Sequence, residues 1–286
     1  MQYTTTSQEI FETFCISKAH KKHLKIDENN KTIYFNYPEK EVEINYEPVN
    51  ILYEDAFLIA AFKPPFLLVH DDGNSQDTLQ ARINGYLQLN GNKYPAQAIH
   101  RIDYETSGLV LFCKHPFFQA YCDKSMEEHH IKKDYIALVQ GHTNYKNKKI
   151  VSNIARDRHN AKKMIVHPNG KESISIFNTL KNYKDYSLIQ VTILTGRKHQ
   201  IRVQCASLNH PILNDSLYGG KRIDNTGLLL QSHHIQFNDI DITCPQENKK
   251  LYILSDKRSR HLLINRINTE GYAFFYIQST KSLVKH

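Results

Sequence analysis

Along this 286-residue chain the apolar positions fall mostly in short runs or two-residue alternations, the rhythm of strands, and in only a few places at helical spacing. Residues 51–55 and 57–62 predict strands, the second ended by Lys63-Pro64-Pro65 because proline cannot donate to a ladder. A short apolar run at 66–70 follows. Leu79, Ile83 and Leu87 recur at i, i+4 and i+8 behind Asp77, which predicts a helix over 78–89 with Asp77 as its cap. Residues 109–113 have the unbroken apolar character of a buried strand. Residues 116–128 predict a second helix, with Phe117 and Tyr121, and Phe118 and Cys122, stacked at i, i+4. Residues 131–140 predict a strand on which Lys133, Tyr135, Ala137 and Val139 share one face. Strands over 173–180 and 186–195 come next, and after Gly196 the positions Ile201, Cys205 and Leu208 mark a further helix.

Strands joined by short loops, with few helices among them, predict an α+β fold: a largely antiparallel mixed sheet flanked by helices. Residues 1–48 form a small basic N-terminal appendage, with 16–25 fitting one short helix and 32–36 and 41–45 two short strands. The appendage reads equally as a nucleic-acid-binding module or as an extension packed on the main domain. The main domain is expected over 49–245. Residues 246–286 form a C-terminal extension that contains the basic run Lys257-Arg258-Ser259-Arg260-His261.

Composition narrows the class. A hydrophobic share of 40% with 23% charged residues is that of a globular protein, and no apolar run approaches the roughly 20 residues that span a bilayer. No membrane association is expected. The first ten residues lack a basic and then apolar signal pattern, and Cys15, Cys113, Cys122, Cys205 and Cys244 are odd in number and scattered, so reduced thiols in a cytoplasm are expected. A net charge of +8 fits either a polyanionic partner or a lysine-rich solvated surface. The 16 histidines include His129-His130 and His233-His234 but no His-Glu-x-x-His, so surface histidines are the better account and no metal is expected.

Two segments carry chemistry. In His100-Arg101-Ile102-Asp103-Tyr104-Glu105-Thr106-Ser107-Gly108 a carboxylate sits among basic and hydroxyl side chains just before the buried strand, so the group is held on a rigid support. In Thr195-Gly196-Arg197-Lys198-His199-Gln200-Ile201-Arg202 the strand alternation ends, glycine permits a turn, and Arg197 stands at a strand-to-helix junction. There its planar fork suits a carboxylate or phosphate; a surface ion pair is the plainer reading.

Together these segments resemble the family of RNA pseudouridine synthases that modify ribosomal and transfer RNA, in its branch with the His-Arg-Leu-Asp signature. Tyr53-Glu54-Asp55, Lys63-Pro64, the block from Asp134 to Gly141, Pro211-Ile212, Asp215 and Leu217-Tyr218-Gly219 continue the resemblance in order, over about 51–237. What it implies is an enzyme that detaches uracil from ribose, turns it and rejoins it through carbon 5, with RNA as partner, no cofactor, no obligatory protein partner and a monomer as the default. It implies Asp103 as the catalytic carboxylate, Tyr135 packed against the target base and engaged in proton removal from carbon 5, and Arg197 paired with the carboxylate. It also implies Leu230 as an apolar wall. Arg101 is expected either to fill the space left by an extruded base or to contact phosphate, and Lys198 and Arg202 to contact phosphates.

Ile102, Tyr104, Lys198, Gln204, Gln231 and Asn214 depart from the family pattern, which bears on RNA contacts more than on the reaction. Two other classes fit the same features: a non-catalytic RNA-binding assembly factor on this fold, and a nucleosidase that lets water finish the cleavage.

Overall fold

Beside a small hairpin, one long mixed sheet organises the chain. The structure is a computed structural model that describes residues 12–27, 32–38, 41–73, 75 and 77–244. The chain divides into a unit Met1–Cys244 and a unit Pro245–His286, and the second, with the basic run at 257–261, lies outside the described residues.

The basic N-terminal stretch gives a short helix α1 (Lys18–Lys21) capped by Ser17, then a hairpin of β1 (Leu24–Asp27) and β2 (Thr32–Phe35), paired antiparallel. The helix expected over 16–25 is therefore cut short. Leu24 and Lys25 are taken by the hairpin, paired with Phe35 and Tyr34. The strand expected at 41–45 does not form. Its backbone is used by a helix instead: Asn45 N–H donates to the Ala81 carbonyl, and Asn84 Nδ2 donates to the Glu43 carbonyl. Gly85 permits this approach, since a Cβ there would lie 2.2 Å from the Asn45 carbonyl oxygen.

The remaining elements are β3 (Asn50–Glu54), β4 (Leu58–Lys63), α2 (Leu79–Leu89), β5 (Gln97–Ala98), β6 (Ser107–Cys113), α3 (Pro116–Glu127), β7 (Lys132–Gln140), β8 (Lys148–Arg156), β9 (Met164–Val166), β10 (Lys171–Asn182), β11 (Tyr186–Ile193), α4 (Gln200–Ser207), β12 (Leu230–Phe237) and β13 (Ile240–Thr243). Strand order across the sheet is β3-β4-β6-β12-β7-β11-β10-β8-β9, with β5 added to β6 and β13 to β12. Pairing is antiparallel except at β12–β6. This is the α+β, largely antiparallel arrangement that the alternations predict.

Helix α2 is capped by Thr78, whose Oγ1 accepts from Ala81 N at 3.1 Å, and not by Asp77. Asp77 is drawn away by a 2.7 Å ion pair with Arg82. The run at 66–70 is no strand, because the two prolines end β4 and Phe66 turns through φ +64°. Only an isolated bridge links Leu68 to Thr78.

The sheet carries apolar side chains on both faces. On one, Ile59, Val110, Phe112, Ala137, Ile189 and Val191 pack against Leu79, Ile83 and Leu87 of α2 and Ile201 and Cys205 of α4. On the other, Leu58, Leu109, Leu111, Ile235 and Phe237 pack against Phe117, Phe118 and Cys122 of α3, and Ile16 and Tyr37 join this core. At about 25 cal/mol per Å² of apolar surface removed from water, these two layers dominate the stability of the sheet centre. The parallel junction of β6 with β12 needs Gly108: at φ +117° a Cβ would meet the Ser232 carbonyl oxygen at 2.2 Å.

Candidate active site

The loop His100–Thr106 runs between β5 and β6, and its backbone is tied on several sides. Tyr104 carbonyl accepts from Phe66 N at 2.8 Å and from the buried Lys63 Nζ at 3.1 Å, while Glu105 carbonyl accepts from Leu228 N at 3.0 Å. Thr106 N donates back to the Asp103 carbonyl, closing the turn. Lys63 also donates to the Pro64 and Leu67 carbonyls, so a buried ammonium clamps two loops together; burial lowers it to about 7, and the charge of Asp103 opposes that shift. Asp103 is thereby presented, partly exposed, from a fixed backbone.

Two basic side chains approach its carboxylate. Arg202 Nη1 lies 3.3 Å from Asp103 Oδ2, and His199 Nε2 lies 3.9 Å from the same oxygen. Arg202 is itself locked. Its Nε and Nη2 make a two-pronged pair with the buried Asp215 at 2.8 and 2.9 Å, and its guanidinium stands 5.2 Å from the centre of the Tyr218 ring. Burial works against the Arg202 charge, but the hydrogen bonds and charge of Asp215, with Asp103 behind it, more than compensate and hold the guanidinium charged. His199 enters α4 at φ +56° with Nδ1 2.9 Å from Tyr218 Oη; burial lowers its affinity for a proton, and Asp103 opposes that.

A cavity of about 400 Å³ opens in front of this carboxylate, lined among others by Arg101, Tyr135, Arg197, Lys198 and Leu230. Tyr135 is buried on β7, directly across the ladder from Ser232. Burial pushes its phenol well above the ordinary value; Ser232 pulls the other way and the nearby Asp103 charge adds to the rise. The group is a neutral phenol at physiological pH. Leu230, at the start of β12, is buried and forms an apolar wall.

The structure brings Asp103, Tyr135, Leu230, Arg101, Lys198, Arg197 and Arg202 around one cavity, yet two of these residues exchange the positions expected of them. Arg197, expected to pair with the carboxylate, lies exposed at the rim with Nε donating to the Glu172 carbonyl at 2.9 Å. Arg202, expected to meet phosphate, is buried against Asp215 and supplies the guanidinium beside Asp103. The reason is the start of α4. Gln200 Oε1 accepts from Arg197 N and from Thr195 Oγ1, which ends the turn there and leaves Arg197 outside. Arg202, three residues after His199, shares that residue's inward side of the helix start. Sequence reasoning missed His199 and the buried role of Asp215. The i, i+3 spacing of His199 and Arg202 was the available signal.

His100 is buried too, its Nε2 accepting from Leu111 N at 3.2 Å. Burial, helped by the charge of Lys133, lowers its pKa to about 3. The unfolded chain takes up this proton near 6.5 and the folded chain only near 3, so the stabilisation is complete above pH 6.5 and is lost as pH falls toward 3. Urea unfolding at pH 7 and pH 4 should therefore show a smaller acid loss in His100→Gln than in wild type. An equal loss would remove His100 from the acid response. Among the described residues no three His, Cys, Asp or Glu side chains gather as a metal site, and no helix is long and apolar enough to cross a membrane.

Comparison with known proteins gives a consistent answer. Residues 58–207 match the family model described as RNA pseudouridylate synthase. The chain is 36% identical over 178 residues to an uncharacterized RNA pseudouridine synthase of Bacillus subtilis, covering 61% of this chain and 59% of that one. It is 33% identical over 188 residues to ribosomal large subunit pseudouridine synthase D of Haemophilus ducreyi, covering 64% and 58%. To an uncharacterized RNA pseudouridine synthase of Aquifex aeolicus it is 33% identical over 214 residues, covering 71% and 67%. The match to the Bacillus and Haemophilus proteins thus spans about three-fifths of their length. In fold it is similar to human RNA pseudouridylate synthase domain containing 1, with a TM-score of 0.59 at 22% identity over 70% of this chain and 84% of that one.

Proposed function

Because this chain belongs to the RNA pseudouridylate synthase family, we propose that it converts uridine to pseudouridine in RNA, with ribosomal RNA as the first substrate to test and transfer RNA as the second. The observation that carries this reading is the Asp103 carboxylate, faced by a locked guanidinium, in a cavity of about 400 Å³ that the buried phenol of Tyr135 also lines.

The reaction breaks the bond from ribose C1′ to uracil N1, forms one from C1′ to C5, and moves a proton from C5 to N1. It needs no redox partner and no group donor. The carboxylate serves either by attacking sugar or base or by taking a proton from the sugar, and all of these roles require it ionised and aimed. Arg202 supplies both conditions, because its two-pronged hold on Asp215 leaves Nη1 free to face Asp103. Tyr135, held as a neutral phenol, packs its ring against the extruded base. Leu230 closes the apolar side, which keeps detached uracil from escaping before it is rejoined.

Extruding a base costs a few kcal/mol, and Arg101, exposed at the cavity mouth with Nη1 3.4 Å from His70 Nε2, is the flat cation that fills the vacated stack. Arg197 and Lys198 contact phosphates at the rim. Arg197→Ala should therefore weaken RNA binding by about threefold to tenfold with the single-turnover rate nearly unchanged. Filter binding and single-turnover kinetics check this, and a collapsed rate at normal affinity would put Arg197 back in the chemistry.

Mapping pseudouridine across ribosomal and transfer RNA in cells with and without the gene identifies the substrate. A uridine modified only when the gene is present is the expected result. Identical maps would refute the reading.

A further inference from the structure

Next to the cavity lies a wider groove of about 750 Å³, lined by Ile176, Asn178, Thr192 and Thr195 among others. The two spaces share one wall, made of Met126, Lys133, Ile193, Gly196 and Arg197. Lys133 stands on β7 two residues before Tyr135 and so points to the same side of the sheet. Its neighbour Asp134 points to the other side, where Thr192 Oγ1 and His234 hold it.

Lys133 is unusual among the lysines described here. It is 6% exposed, yet its Nζ donates only to the Met126 sulfur at 3.4 Å, and no carboxylate pairs with it among the described residues. A thioether is a weak acceptor, and a buried ammonium left so poorly satisfied is costly unless a partner arrives. Burial brings its pKa down only to about 8, so the group is mostly charged at neutral pH. Among the described residues, Glu127 is the one acidic residue lining the groove, against Lys132, Lys133 and Arg197.

Building on the function proposed above, the geometry points to Lys133 as a phosphate-binding residue: it takes the phosphodiester linking the extruded uridine, in the cavity, to its neighbouring nucleotide, in the groove. A strand passing from one space to the other must place a phosphodiester at the shared wall. The missing acceptor of Lys133 is then supplied by the RNA, through a charge-assisted hydrogen bond.

The test uses a synthetic stem-loop around the uridine found by mapping, made with a neutral methylphosphonate at the linkage on either side of it. For the wild-type protein, one of these two RNAs should bind about tenfold more weakly, as loss of one charge-assisted contact predicts. Lys133→Met should show a similar loss on unmodified RNA, with the single-turnover rate at saturating protein within about threefold, and Lys133→Arg should restore binding. Combining Lys133→Met with the sensitive methylphosphonate should add nothing further, since both remove the same contact. Equal binding of wild type to both neutral-linkage RNAs would overturn the proposal, and needs no variant. Losses that multiply in the combination would overturn it as well. Either result, with pseudouridine still formed by the wild type, leaves the proposed function standing; no pseudouridine from the wild type on any RNA removes both.

Discussion

Asp103→Asn is expected to lower the isomerisation rate by about 10³-fold or more while leaving RNA affinity within about threefold. Asparagine keeps the shape of the side chain, and its carbonyl oxygen can still accept from Arg202 Nη1. Arg202 keeps its hold on Asp215, so the loop and α4 lose no support. What disappears is the anion, the one feature every route to glycosidic cleavage by this group requires. The phosphate contacts proposed for the rim are untouched. Turnover on a purified RNA and filter binding, measured side by side, check both halves, and near wild-type turnover would dismiss Asp103 as the reacting group.

Removing Arg202 should have the other large effect, and on two quantities at once. Arg202→Met strands Asp215, which is 1% exposed, as an unpaired buried carboxylate, a loss of about 3–5 kcal/mol by the usual cost of breaking a buried pair. Urea denaturation should show it. Activity should fall as well, even at temperatures where the variant is folded, because Asp103 loses the guanidinium that aims it. The double variant Arg202→Met with Asp215→Leu separates the two effects. An apolar pair in place of the buried ions should recover most of the stability, yet the activity should stay low. Recovery of both would mean that Arg202 serves the fold alone.

Much of this arrangement is legible in the sequence because its period is enforced by burial. The strand over 131–140 alternates Lys133, Tyr135, Ala137 and Val139 toward the site, and the structure gives Lys132–Gln140. The unbroken apolar run 109–113 becomes β6, buried on both faces and neighboured by β4 and β12. The Asp103 loop stands out because polar chemistry there interrupts a buried context. The remainder escapes for physical reasons. β12 is a central strand but carries the buried Gln231 and Ser232 and the half-buried His233 and His234, a polar run that no alternation rule would place there. β8 lies near the sheet's edge and keeps much of its length exposed, so Lys148 and Lys149 mask it. Glu41 to Asn45 alternates like a strand, but its backbone bonds to α2 rather than to a neighbouring strand. Arg197 and Arg202 sit in one short block with equal chemistry. Which of them turns inward depends on where Gln200 ends the turn, a decision made by side-chain hydrogen bonds; the i, i+3 spacing of His199 and Arg202 places those two on one side of the helix start without saying which side faces the site.

Incubating the purified protein with ribosomal and transfer RNA, digesting to nucleosides and separating them by chromatography tests the central claim most directly. The account predicts that pseudouridine accumulates with wild type and not with Asp103→Asn, with no free uracil released. No pseudouridine from the wild type, or uracil appearing in its place, would contradict it.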